Sequence, residues 1–187
     1  MDRRIERTKK AIKDAFALLI SQKSLNEISI TDIADAANIN RKTFYSYYAG
    51  IYEVIDEIED EIACIFEDAV KNEDMHNFLE NPQKVLHSLN EVLNKNLDFY
   101  ANLLRMKGTS SLNTKIVGKI KKQIVQAFLA DYPNKDPEKV EIIINFIFSG
   151  IVEAFCIWFT ADRKMPLKEL EETLENFIFQ GIKGMVN

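Results

Sequence analysis

The stretch Ser29–Tyr48, SITDIADAANINRKTFYSYY, reads as two short helices joined by a tight turn. Thr31 suits the cap of the first helix. Asp32 suits its first turn, where a carboxylate meets the positive helix end. Ile33, Ala34 and Ala37 follow at helical spacing, so one face packs, and the two alanines let another helix come close. Asn38 stands where the chain must turn sharply, and asparagine accepts left-handed backbone better than other non-glycine residues. Asn40 is placed to cap the second helix. Arg41, Lys42 and Thr43 then occupy its exposed first turn, while Phe44 and Tyr48, four apart, point back into a core.

This arrangement suits a helix-turn-helix, whose second helix offers its N-terminal side chains to the major groove of DNA. Arginine and lysine bond guanine edges, and a threonine methyl meets a thymine methyl. The hydroxyls of Tyr45 and Tyr47 suit phosphates, which fix register without reading sequence. Composition alone leaves open an ordinary surface helix pair carrying two chance cations. The block also resembles the DNA-binding signature of TetR-type (TetR/AcrR) transcriptional regulators, through Thr31, Ile33, Ala34, Ala37, Ile39, Thr43, Phe44, Tyr45 and the aromatic Tyr48. The resemblance implies that Thr31, Arg41, Lys42, Thr43, Tyr45 and Tyr47 face DNA. The chain departs from that family twice. Asn38 stands where a glycine is usual, and residues 49–51 (Ala-Gly-Ile) hold no cation where a phosphate-binding lysine is usual.

The chain has 187 residues, enough for one to two domains and a sizeable core. Six glycines and four prolines are few breakers for this length, and no stretch alternates polar and apolar long enough to read as a strand. An all-α fold of about nine helices follows. A net charge of −5 looks wrong for a DNA binder, but its distribution does not. Residues 1–50 hold nine Lys or Arg against six Asp or Glu, and residues 51–187 hold fifteen against twenty-three. The basic part carries the helix-turn-helix, and the acidic remainder faces away from a duplex. Cys64 and Cys156 lie in apolar helical patterns and read as reduced, buried thiols, with a bridge between them left open by the sequence. With His76 and His87 they make no metal-ligand spacing, so no metal or cofactor is expected. No apolar run follows the cations of MDRRIERTKK, so no signal peptide is expected and a cytoplasmic protein is.

Taken in order, a first helix is predicted from Arg3 to Ser21. Its cationic start, Arg3, Arg4, Arg7, Lys9 and Lys10, is either a solvated end or a phosphate-contacting patch. The head is expected to span residues 1–50 and the C-terminal ligand-binding and dimerisation domain residues 51–187. A connector helix over residues 51–70 has a regular apolar face and an acidic opposite face that reads as solvated. Residues 73–80 read as a loop, with Asn81 capping and Pro82 opening a helix to about Tyr100. KGTSS, 107–111, is a break, which a short helix can precede, and a helix from Ser111 to Ala130 follows. Its lysines 115, 119 and 122 read as a solvated face, or else as a second nucleic-acid patch. Asp136 caps and Pro137 opens a long helix to Thr160 that is apolar nearly all round. Its length suits a membrane, but Asn145, Ser149 and Glu153 interrupt it and no second span exists, so burial is expected instead. Pro166 opens the last helix, which Gly184 is expected to end.

The last two helices are expected to pair antiparallel and to bury their surplus apolar surface in a homodimer, as a four-helix bundle, which the resemblance also implies. Ile147, Gly150, Ile151, Trp158, Leu174, Phe177, Ile178 and Gly181 are the expected interface. A pocket for an unknown small-molecule effector is expected around Phe66, Phe99, Tyr100, Phe128, Phe146, Ser149 and Glu153. The stripe Asn145, Ser149, Glu153 has three candidate partners: edge water, a cross-dimer network, or a ligand amine or hydroxyl. Catalytic constellations and phosphate loops are missing, so an enzyme is not expected. The function that follows is a ligand-responsive dimeric transcriptional repressor on a palindromic operator. The alternative is a related protein-binding co-regulator with weak or lost DNA binding.

Overall fold

The structure is a computed structural model that describes residues 3–71, 82–95, 97–105, 110–161 and 165–186. Among the described residues there are nine α-helices, one short 3-10 turn and no strand. Helix α1 spans Arg3–Ile20, α2 Ile30–Ala36 and α3 Arg41–Tyr45. These pack in sequence, α1 on α2 and α2 on α3, around Ile12, Phe16, Ile33 and Phe44, which are all fully buried. Helix α4, Ile51–Lys71, leaves this head and runs into the body. It packs on α5, Pro82–Lys95, and on α7, Ser110–Asp131. Helix α6, Leu97–Arg105, touches α1, α5 and α8, Pro137–Thr160. Helix α9, Leu167–Val186, lies on α5.

Several expectations change. The predicted helix from Pro82 to Tyr100 is two helices, α5 and α6. No glycine or proline marks the join, so helical spacing alone carried straight through it. Gly184 does not end α9, which continues to Val186. The main neighbours of α8 are α7 and α6, and that of α9 is α5, so the mutual pairing of α8 with α9 is not the principal packing of either. The expected cap at Asn81, the loop at 73–80 and most of the break at 107–111 lie outside the described residues.

Helix α8 opens as its sequence dictates: Asp136 accepts a hydrogen bond from the Glu138 N–H at 3.0 Å, with Pro137 behind it. It is long and apolar enough to cross a membrane, yet eight of its residues are buried in the helical core. At its far end the Trp158 indole N–H donates to the Met165 carbonyl at 2.7 Å and ties the turn towards α9. Cys156 is buried, and burial followed by the charge of Glu153 pushes its thiol up to about 11, which leaves it an inert core residue. Cys64 is exposed, against the expectation of a second buried thiol.

Candidate nucleic-acid interface and interior cavity

The turn between α2 and α3 is built from local chemistry. Ser29, not Thr31, caps α2: its hydroxyl accepts the Asp32 N–H at 3.1 Å, and Asp32 accepts the Ser29 N–H at 2.7 Å. This reciprocal box needs an acceptor three residues on. Ser29 has Asp32 there, whereas Thr31 would have Ala34. Lys23 also reaches Asp32, at 3.0 Å. The Ser29 bonds, then Lys23, hold the Asp32 carboxyl down to about 2. Asn38 sits at φ 52°, the expected left-handed turn, and the Ile39 N–H reaches back to the Ala34 carbonyl at 2.9 Å. Asn40 caps α3 as read, accepting the Thr43 N–H at 2.7 Å and the Thr43 hydroxyl at 3.0 Å.

The outward side chains follow from that frame. Phe44 and Tyr48 are buried, which turns Arg41, Lys42 and Tyr45 outward. Thr31 is exposed at the start of α2, and Thr43 and Tyr47 are half-buried. The six residues expected to face DNA therefore lie on two adjoining capped helices and the turn after them.

The N-terminal cations divide. Lys9 binds Glu57 of α4 at 2.6 Å, and Lys10 pairs with Asp14 at 2.5 Å, so neither stands free for phosphate. Arg3, Arg4 and Arg7 remain exposed. Lys13 binds Glu57 at 3.0 Å and also Glu61. Desolvation pulls the Lys13 ammonium down, but its bonds to Glu61 and Glu57 win and hold it above an ordinary lysine. Lys9 also lies 5.2 Å over the Tyr48 ring. Burial, then the nearby Glu57 carboxylate, raises the Tyr48 phenol. A three-way clamp thus joins α1, the turn after α3 and α4. Its signal in the sequence is two i,i+4 rows of opposite sign, Lys9/Lys13 and Glu57/Glu61, whose meeting only the fold reveals.

The opposite flank of α4 is clamped as well. Lys115 of α7 reaches Asp56, Glu59 and Asp60, and Lys119 reaches Glu67 at 3.4 Å. Neither the acidic face of α4 nor Lys115 and Lys119 of α7 are merely solvated.

Inside the body, α4, α5, α6, α7 and α8 line an apolar cavity of about 50 Å³. Phe66 and Ile62 come from α4, Leu89 and Leu93 from α5, Tyr100 from α6, Ile116 and Ile120 from α7, and Phe148, Phe155 and Phe159 from α8. Of the expected pocket residues, Phe66 and Tyr100 line it. Phe128 is buried against Tyr132, and Phe99 lies on an outer groove. Phe146 is 69% exposed, Glu153 is exposed and Ser149 half-buried, all away from the lining. The reason is helical phase: Phe148, Ile151 and Phe155 take the inner face of α8, and the stripe of Asn145, Ser149 and Glu153 falls outside it.

Of the expected interface residues, Ile151, Trp158 and Ile178 are buried within the protomer, and Ile147 and Leu174 are half-buried. Phe177 is 69% exposed, and a Cβ added at Gly150 meets no atom within 4 Å. Gly181 lies in α9. No group of three or more His, Cys, Asp or Glu among the described residues is placed to hold a metal ion.

Residues 80–180 match a family profile of the TetR type, described as a transcriptional regulator C-terminal region. The chain belongs to the TetR family of transcriptional regulators. Solved TetR-type structures share its fold. One is a TetR-family transcriptional regulator from Streptomyces coelicolor, with TM-score 0.66 and 19% identity over 95% of this chain and 83% of that one. Another is the dihydroxyacetone kinase operon activator DhaS, at 0.66 and 20% over 95% and 97%. A third is the repressor AlkX from Dietzia sp. strain DQ12-45-1b, implicated in n-alkane biodegradation, at 0.56 and 14% over 95% and 97%. No curated protein matches the chain.

Proposed function

We propose that this TetR-family protein is a ligand-responsive homodimeric repressor that binds a two-fold symmetric operator and is released by a small-molecule effector. Residues 1–50 form the DNA-binding head, and residues 51–187 form the effector and dimerisation domain. The observation that carries the reading is the exposed cationic turn of α3. Arg41 and Lys42 project from a helix fixed by the Asn40 cap on one side and by buried Phe44 on the other. A side chain held this way reads base edges at little cost in ordering. The apolar cavity abuts α4, whose first turn follows the recognition segment directly. An effector that fills it moves α4 and changes the spacing of the two heads.

The test is gel retardation with promoter fragments from the neighbouring genes. Arg41→Ala is expected to weaken specific binding by about 1–3 kcal/mol. Tyr45→Phe is expected to weaken all sequences about equally, because it removes a phosphate contact. A protein that retards none of these fragments at low salt is not an operator-binding repressor. The second reading, a co-regulator acting through a partner protein, has one observation in its favour. Residues 49–51 carry no cation, and the Ala49 N–H is already occupied by the Glu53 carboxylate at 2.7 Å. An anion placed there repels a phosphate rather than anchoring it.

A further inference from the structure

The cations of the head fall into two groups. Lys9, Lys10, Lys13 and Lys23 each hold a carboxylate: Glu57, Asp14, Glu57 with Glu61, and Asp32. Among the described residues, no carboxylate pairs with Arg3, Arg7, Arg41 or Lys42. Arg41 and Lys42 belong to α3, whereas Arg3 and Arg7 stand on α1, outside the helix-turn-helix. Helices α1 and α4 run side by side in the same direction. Lys9 meets Glu57 and Lys13 meets Glu61, each across a sequence separation of 48. Carried back along α1, that register sets Arg3 level with Ile51 and Arg7 level with Ile55. Ile51 opens α4, and residues 49–51 hold no cation of their own. Lys9 lies 5.2 Å over the Tyr48 ring, so the start of α1 stands beside that same turn. Arg3 and Arg7, four apart, share the face of α1 opposite Ile12 and Phe16, and both are exposed. Their position opposes the helix dipole, which disfavours cations in the first turns. A local cost without a local partner marks side chains kept for something outside the fold.

We propose that Arg3 and Arg7 bind phosphates of the DNA backbone beside the bases read from α3, and so supply the anchor that residues 49–51 lack. This rests on the reading of the head as a DNA-binding unit and names a second part of its surface. Phosphate contacts hold a recognition helix in register without reading sequence. The turn into α4 offers the Glu53 carboxylate instead, on the Ala49 N–H. Arginines one helix away, at the same level, meet the backbone that passes over this turn, and their planar forks suit phosphate oxygens. The charge gap at 49–51 is then filled from α1, which removes the observation that favours a co-regulator without DNA.

The experiment is fluorescence anisotropy of the full chain with a labelled duplex of random sequence, from about 50 to 200 mM salt. Each phosphate contact adds about 0.9 to the slope of log affinity against log salt. Arg3→Ala combined with Arg7→Ala is expected to lower that slope by about 1.8 per bound protomer. The same variant is expected to bind at least tenfold more weakly at the lowest salt. Arg3→Lys combined with Arg7→Lys is expected to keep the parent's slope, because the charge remains. Lys10→Ala removes the same charge from the same helix, but from a residue held by Asp14, and is expected to leave the slope unchanged. Both arginines are exposed, and circular dichroism checks that each variant is folded. If the double alanine variant does not fold, Arg7→Gln alone, with an expected fall of about 0.9, decides the matter. A folded variant with the parent's slope, an equal fall in Lys10→Ala, or a parent that ignores the random duplex at the lowest salt overturns the proposal. Because the duplex is random, failure to find an operator leaves this proposal standing. An unchanged slope, in turn, leaves Arg41 and Lys42 as base readers.

Discussion

Asn38 carries the sharpest backbone constraint in the head. Its φ of 52° places it in the region that costs most L-residues about 1–2 kcal/mol. Asn38→Val is therefore expected to destabilise the head by about that amount, and Asn38→Gly to be tolerated, both read by urea denaturation. A neutral valine would mean that the turn relaxes to another conformation. Asp32 gives a pH signature. Its folded pKa of about 2 lies below that of an ordinary aspartate, so its contribution is fully present above ordinary carboxylate titration and disappears as pH falls through about 2. Acid titration followed by the Ser29 and Asp32 amide resonances should show the α2 cap opening only near that value. In Asp32→Asn that transition should be absent. Asn38, Asn40 and Phe44 were legible in the sequence because each acts within four residues of itself. Thr31 was misplaced as a cap because two cap-forming residues stand two apart, and only the partner three residues on separates them.

At the scale of elements, α4 is held on two flanks by opposite charge. Glu57 is the member shared by Lys9 and Lys13. Desolvation raises its carboxyl, but the two lysines lower it more and keep it below the ordinary carboxylate range. Its clamp is present at neutral pH and lost as pH falls through that depressed value. Glu57→Gln is expected to separate head and body: calorimetry should show an earlier transition for the head. A single unchanged transition would show that apolar packing alone couples them. None of this was readable from either helix by itself, because a lysine row and a glutamate row each look solvated until the fold lays one on the other. The split into α5 and α6 was hidden for a similar reason, since no local breaker marks it. The cavity was half legible. Aromatic residues at helical spacing pointed to Phe66 and Tyr100, but on α8, apolar nearly all round, periodicity did not say which face turns inward.

For the whole molecule, the outer face of α8 remains to be covered. Ile142, Phe146 and Ile157 are each at least 60% exposed, and with Gly150 and Glu153 they fall on one helical face. Phe177 of α9 is exposed to the same degree as Phe146. A contiguous apolar face of this kind marks an association surface, and two-fold pairing is the commonest way to close one. Gly150 separates the two outcomes. In an isolated protomer its Cβ position is open space, so Gly150→Ala gains about 1 kcal/mol of helix propensity and nothing opposes it. In a dimer whose helices approach at Gly150, an added side chain meets the partner, so Gly150→Trp splits or deforms the pair while each protomer keeps its helicity. Phe146→Glu should act likewise, by setting a charge in the apolar face beside Glu153. Light scattering at micromolar concentration is expected to give twice the chain mass for the parent and once for Phe146→Glu, with operator binding lost alongside. If the parent is a monodisperse monomer, or if Gly150→Trp is as dimeric and as tight on DNA as the parent, the pairing does not use this face of α8.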